Sequence, residues 1–148
     1  MLLRQTLPAD WQALWQLNGQ YTSNALISGE QFGIGGVDSV RGFNEREILN
    51  DRGYRTSIEL QGSNLGRAFQ SEQLQLRPVV FYDAGWVQRN HPLPGEQKSS
   101  AISSAGIGLR SELGNNLHAR IDYATVLQGG GVRKTGDRKL HANLTLTF

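Results

Sequence analysis

The chain has 148 residues and a mass of 16.4 kDa, with 15 Lys and Arg against 13 Asp and Glu, three histidines and no cysteine. Its length allows one domain, its net charge of +2 excludes the dense basic face of a nucleic-acid binder, and the missing thiols exclude disulfide scaffolds, Cys-ligated metals and thiol catalysis. The longest apolar stretch, about Val79 to Tyr82, is far short of the ~20 residues of a membrane helix, and Met1 to Gln5 lack the apolar core of a secretory signal.

Apolar residues alternate with period two in six segments, and no run follows the i, i+3, i+4, i+7 spacing of a helix, so the chain is predicted to be all-β. After a tight turn at Pro8-Ala9-Asp10, the first segment (11–21) puts Trp11, Ala13, Trp15, Leu17, Gly19 and Tyr21 on one face. A long connection, 24–53, leads to Tyr54, Thr56, Ile58 and Leu60. The third segment (74–86) sets Leu74, Leu76, Val80, Tyr82, Ala84 and Trp86 against Gln75, Arg77, Phe81, Asp83 and Gly85. The fourth (101–113) carries Ala101, Ala105, Ile107 and Leu109. A tight turn at Gly114-Asn115-Asn116 leads to the fifth (117–127), with Leu117, Ala119, Ile121 and Tyr123 opposite His118, Arg120 and Asp122. The sixth (140–148) ends on Phe148.

The greasier face of these segments carries no charge, while the other carries Arg55, Glu59, Arg77, Asp83, Arg110, Glu112, Arg120 and Asp122, which sum to zero and are pairable across strands. Alternation alone does not say whether the greasy face meets a soluble core or lipid. Three features favour lipid. Most segments run to about 9–13 residues, nearer the ~9–11 of a tilted membrane strand than the ~5–6 of a globular one. Aromatic residues (Trp11, Tyr21, Tyr54, Trp86, Phe148) sit near segment ends, as at a membrane interface. Long connections (24–53, 88–99, 128–139) nearly alternate with tight turns, the pattern of long external loops and short periplasmic turns. The connection at about 61–73 is longer than that pattern expects.

The 24–53 connection is too long to be idle. It contains Gly35-Gly36 and Val40-Arg41-Gly42-Phe43, and no Gly-Lys-Ser/Thr follows its glycines to make a phosphate cradle. Val40-Arg41-Gly42-Phe43 after a Gly-Gly resembles the VRG(Y/F) loop of the two-partner secretion transporters, outer-membrane barrels that export haemolysins and filamentous haemagglutinins. Phe81-Tyr82-Asp83-Ala84-Gly85 resembles that family's F-x-D-x-G strand motif, and Ser104-Ala105-Gly106-Ile107-Gly108-Leu109-Arg110 and the aromatic terminus are similar too.

The resemblance implies an antiparallel transmembrane β-barrel of which 1–148 is the C-terminal six or so strands out of about sixteen, without the family's signal peptide and POTRA domains. It implies that the 24–53 loop folds into the lumen and that Arg41 is held there by Asp83, around motif residues Gly35, Gly36, Val40, Gly42, Phe43, Phe81 and Gly85, with Phe148 as an assembly signal. The implied partners are a secreted exoprotein, outer-membrane lipid and the barrel assembly machinery, with no nucleic acid, no cofactor, no metal and no enzymatic role. By itself such a piece is expected to transport nothing, its bare strand edges being forbidden in lipid. The alternatives are a related barrel-assembly factor, which shares these motifs, and a soluble barrel for a small apolar ligand.

Other signals are discounted. His91, His118 and His141 lack metal-ligand spacing, no Gly-x-Ser-x-Gly elbow occurs, and Asp83 and Asp122 are read as ion-paired by arginines of their own strands. Arg133-Lys134 and Arg138-Lys139 are read as solvated loop charge, with outer-leaflet anions as possible partners.

Overall fold

A computed structural model describes residues 1–66, 73–114 and 116–147. Phe148, and with it the expected assembly signal, lies outside the described residues, as does the middle of the 61–73 connection. Among the described residues nine strands form: β1 (Leu2–Thr6), β2 (Gln12–Gln20), β3 (Phe32–Ile34), β4 (Ile48–Asn50), β5 (Arg52–Gln61), β6 (Leu74–Gln88), β7 (Ser99–Leu113), β8 (Leu117–Gln128) and β9 (Arg138–Leu146). Seven make one antiparallel sheet in the order β1-β2-β5-β6-β7-β8-β9, and β3 and β4 form a separate two-stranded hairpin inside the long connection. The fold is all-β and antiparallel, an open sheet of the kind that forms part of a barrel.

All six alternating segments become strands of the large sheet. Two features had no sequence signal. Leu2–Thr6 pairs with Gln12–Gln16, but five residues without clean alternation give no period to detect. The β3–β4 hairpin consists of two three-residue strands, too short for periodicity to register.

The sheet resolves which way the greasy face points. Ile58, Val80, Ile107 and Leu144 are 52%, 50%, 62% and 64% exposed, so this face is left uncovered by the described residues. The wholly buried positions lie on the opposite face, among them Phe81, Asp83 and Val87 of β6, Ile102 and Ser104 of β7, and Asp122, Ala124 and Val126 of β8. An apolar surface left outside and charge enclosed inside is the arrangement of a lipid-embedded barrel wall, and it is the reverse of a soluble barrel built around an apolar ligand.

What covers the inner face is the long connection between β2 and β5. Its Ile34, Val40 and Phe43 are fully buried and pack with Val87, Ile102 and Val126, with Phe32 and Ile48 at the edge of the cluster. Each such apolar side chain contributes about 1.5–3 kcal/mol on leaving water. The loop therefore lands on an apolar patch of the inner face and on the charged residues that adjoin it.

Candidate functional site

The loop is held at its base by one carboxylate. Asp51, between β4 and β5, accepts the backbone N–H groups of Leu26 (2.9 Å) and Asn90 (2.8 Å) and the side-chain amide of Gln31 (3.3 Å), tying both ends of the loop to the β6–β7 connection. Burial alone would push its pKa up, but the N–H groups of Asn90 and Leu26, then Gln31 and the charge of Arg89, outweigh burial and hold it below the ordinary aspartate value. A depressed carboxylate stabilises the fold fully above the unfolded value of ~3.9 and loses that contribution as pH falls through its folded value. Protease protection of the loop is therefore expected to drop below about pH 4, with an Asp51 component that Asp51→Asn removes. Identical acid profiles for the two proteins would rule this role out.

Beyond Asp51 the loop turns at Gly35 and Gly36, both at positive φ, and closes on itself through Gly36 N–H to the Val40 carbonyl (3.1 Å) and Gly35 N–H to Ser39 Oγ (3.2 Å). This tight turn aims Arg41 at the wall. Arg41 is 1% exposed and Asp83 0%. Its Nε donates to Asp83 Oδ2 at 2.6 Å and its Nη2 to Asp83 Oδ1 at 2.7 Å, a bidentate pair, and its backbone N–H adds a third bond to Oδ2 at 3.1 Å. The remaining guanidinium donors reach Glu59 Oε1 (2.5 Å) and Ser57 Oγ (3.1 Å) on β5. The guanidinium carbon lies 3.5 Å from the centre of the Phe81 ring, a cation–π contact. Burial by itself would lower the Arg41 pKa, but Asp83 first, then Glu59 and Asp122, more than compensate and raise it, so the charge persists.

Asp83 is not served by an arginine of its own strand, the partner read from spacing alone, and neither is Glu59. Asp83 is served by the loop, Glu59 by Arg41 and by Arg110 of β7 (3.1 Å), and Arg77 pairs instead with Asp10 in the first turn (2.9 Å). Asp122 does take Arg120 of its own strand (2.6 Å), and also Arg110 (2.7 Å), with Arg41 at 3.6 Å. Arg120 in turn donates to the Val37 carbonyl of the loop at 3.1 Å. Arg41, Arg110 and Arg120 thus face Glu59, Asp83 and Asp122 in one enclosed set with no net charge, which the exposed Asp38 of the loop joins at its margin through Arg120 (3.5 Å). Sequence reading placed these residues on the inner face but did not assign Glu59, Asp122, Arg110 and Arg120 to the site. Their zero charge sum was the available signal.

The other motif residues make room for this pair. Gly42 has φ +93°, a conformation costly for any residue with a Cβ, and an added Cβ would lie 3.3 Å from Ala124 and 3.5 Å from Val126. Its N–H donates to His141 Nε2 of β9 (3.0 Å), and Lys139 Nζ donates to the Phe43 carbonyl (3.1 Å). A Cβ on Gly85 would press on Ile34 (3.0 Å) and Val40 (3.2 Å), and one on Gly106 would meet the Phe81 ring at 2.5 Å. Val40 and Phe43 fill the apolar cluster on either side of Arg41. Loop, β6 motif and β7 motif therefore form one packing unit. Among the described residues no group of His, Asp and Glu has metal-binding geometry.

A family model described as haemolysin secretion/activation protein ShlB/FhaC/HecB matches residues 4–111. That span holds the whole loop, Asp83 and Arg110 and stops before Arg120 and Asp122. No curated protein and no solved structure matches the chain.

Proposed function

The chain belongs to the ShlB/FhaC/HecB family of haemolysin secretion/activation proteins, outer-membrane transporters rather than enzymes, and from that premise we propose that it is the C-terminal part of a larger barrel exporting a large haemolysin- or adhesin-type exoprotein. The 24–53 loop is the latch of that pore, and Arg41 on Asp83 is its bolt. The observation that carries this reading is the burial of a bidentate arginine–carboxylate pair joining a loop to the inner wall. A bare apolar cluster would hold a loop in many related positions, whereas a planar guanidinium forked onto one carboxylate fixes direction as well as distance.

Closure by further strands is part of the proposal. β1 and β9 are the edges of the sheet, and hydrocarbon has no water to satisfy their free N–H and C=O groups. Outer-membrane lipid and the machinery that inserts barrels are therefore partners in this reading. The test is deletion of the gene in the source cells, followed by fractionation. Loss of one large β-rich protein from the medium, restored by the intact gene, supports export; an unchanged secretome with altered levels of other barrels would overturn it in favour of an assembly factor.

A further inference from the structure

The outward face of the sheet is mostly apolar, with a few uncharged polar residues such as Thr56, Gln88, Ser103 and Thr125, and only two of its described strand residues are charged, Arg52 on β5 and Arg138 on β9. Each is the first residue of its strand, and each follows a long loop. Among its described strand residues the outward face therefore has a cationic rim at the long-loop end, no acid on that face, and no charge at the tight-turn end. In a membrane barrel the long loops are external, so both cations stand at the headgroup level of the outer leaflet.

At Arg52 this rim is hollowed. On the outward face Gly19 of β2 is the register partner of Tyr54, which in turn pairs with Trp86, so the row has two stacked rings (centroids 5.8 Å apart) and then a gap where β2 offers no side chain. The result is a hollow of about 440 Å³ bounded by Gly19, Tyr21, Arg52, Tyr54, Trp86 and Gln88. Arg52 crosses its upper edge with Nη2 on Gln88 Oε1 (3.0 Å) and its guanidinium carbon 5.6 Å from the Tyr21 ring. Unlike Arg41, Arg77, Arg110 and Arg120 on the inner face, it pairs with no carboxylate among the described residues.

We infer that this hollow binds a phosphorylated glycolipid of the outer leaflet, of the lipid A class, with an acyl chain over Gly19 against Tyr54 and Trp86 and a headgroup phosphate on Arg52. An aromatic shelf holds the boundary between acyl chain and headgroup, and a guanidinium free of acids on the membrane side offers its fork to phosphate. The site rests on the membrane-facing reading of the apolar face and is independent of what the lumen conducts.

The test uses the whole closed barrel that contains this chain, in nanodiscs of neutral phosphatidylcholine, titrated with purified lipid A, dephosphorylated lipid A or phosphatidylglycerol and read by native mass spectrometry. Lipid A is expected to bind at least tenfold more tightly than the other two, and Arg52→Gln to abolish that preference while Arg52→Lys keeps part of it. Gly19→Leu, which fills the hollow, gives the same loss by another route; heat-modifiable gel migration identifies the folded variants. Equal binding of lipid A and its dephosphorylated form, or equal binding of phosphatidylglycerol, overturns the site while leaving the barrel intact. A chain that stays monomeric in buffer without detergent overturns the membrane reading itself.

Discussion

Replacing Arg41 by alanine is expected to free the loop from the inner wall. The substitution removes three side-chain bonds to Asp83 and Glu59 and one to Ser57, and it leaves Asp83 buried without its counter-ion. Breaking a buried pair by removing one partner costs about 3–5 kcal/mol. At ~1.4 kcal/mol per decade, the population with the loop out of place rises by about two to three and a half orders of magnitude. Cleavage of the 24–53 loop by added protease in intact outer membranes reads this directly, and the open-pore conductance of the assembled transporter is expected to rise with it. Arg41→Lys keeps the charge but loses the fork, so it should fall between wild type and alanine. The Arg41→Ala, Asp83→Ala double variant should cost less than the sum of its parts, because neither charge is then stranded. Unchanged protection in Arg41→Ala would end the latch hypothesis.

The second large effect is expected at Asp122, a residue that sequence reading set aside. It is 0% exposed and takes Arg110 and Arg120 at 2.7 and 2.6 Å, with Arg41 at 3.6 Å. In Asp122→Asn three guanidinium groups face two carboxylates, and the enclosed network carries one uncompensated positive charge. The expected loss is about 3 kcal/mol, at the lower end of the range for a broken buried pair, because Arg120 is partly exposed and Arg110 retains Glu59. Arg120 also anchors the Val37 carbonyl, so the loop should become protease-sensitive although its own residues are unchanged. The parallel change Glu96→Gln, in the half-exposed Arg89–Glu96 pair, is the control that should leave protection as it was. Wild-type protection in Asp122→Asn would confine the latch to Arg41, Asp83 and Glu59.

The two sites differ in how far the residues alone reveal them. Asp83 was legible because period two assigns each residue of 74–86 to a face, and that face also held Gln75 and Arg77. Arg41 was legible through its motif. Glu59, Arg110, Arg120 and Asp122 were legible as a balanced set, but their partners were not. Register decides these: Glu59 sits opposite Phe81, and Arg110 opposite both Arg77 and Arg120. A slip of one residue would turn any of them outward.

By itself the sequence determined the strand class, the two chemically opposed faces and the long connection that needed a purpose, because backbone geometry forces alternate residues to opposite sides whatever surrounds them. Tertiary structure alone decided which face is enclosed, where the loop lands and which charges meet. Those outcomes depend on contacts between residues far apart in the chain. Arg41 meets Asp83 across 42 positions and Gly42 meets His141 across 99, separations over which no local pattern carries information. The same distance explains the rim site: Gly19, Tyr54 and Trp86 form one row only because three strands align, and the hollow between them exists only once they have.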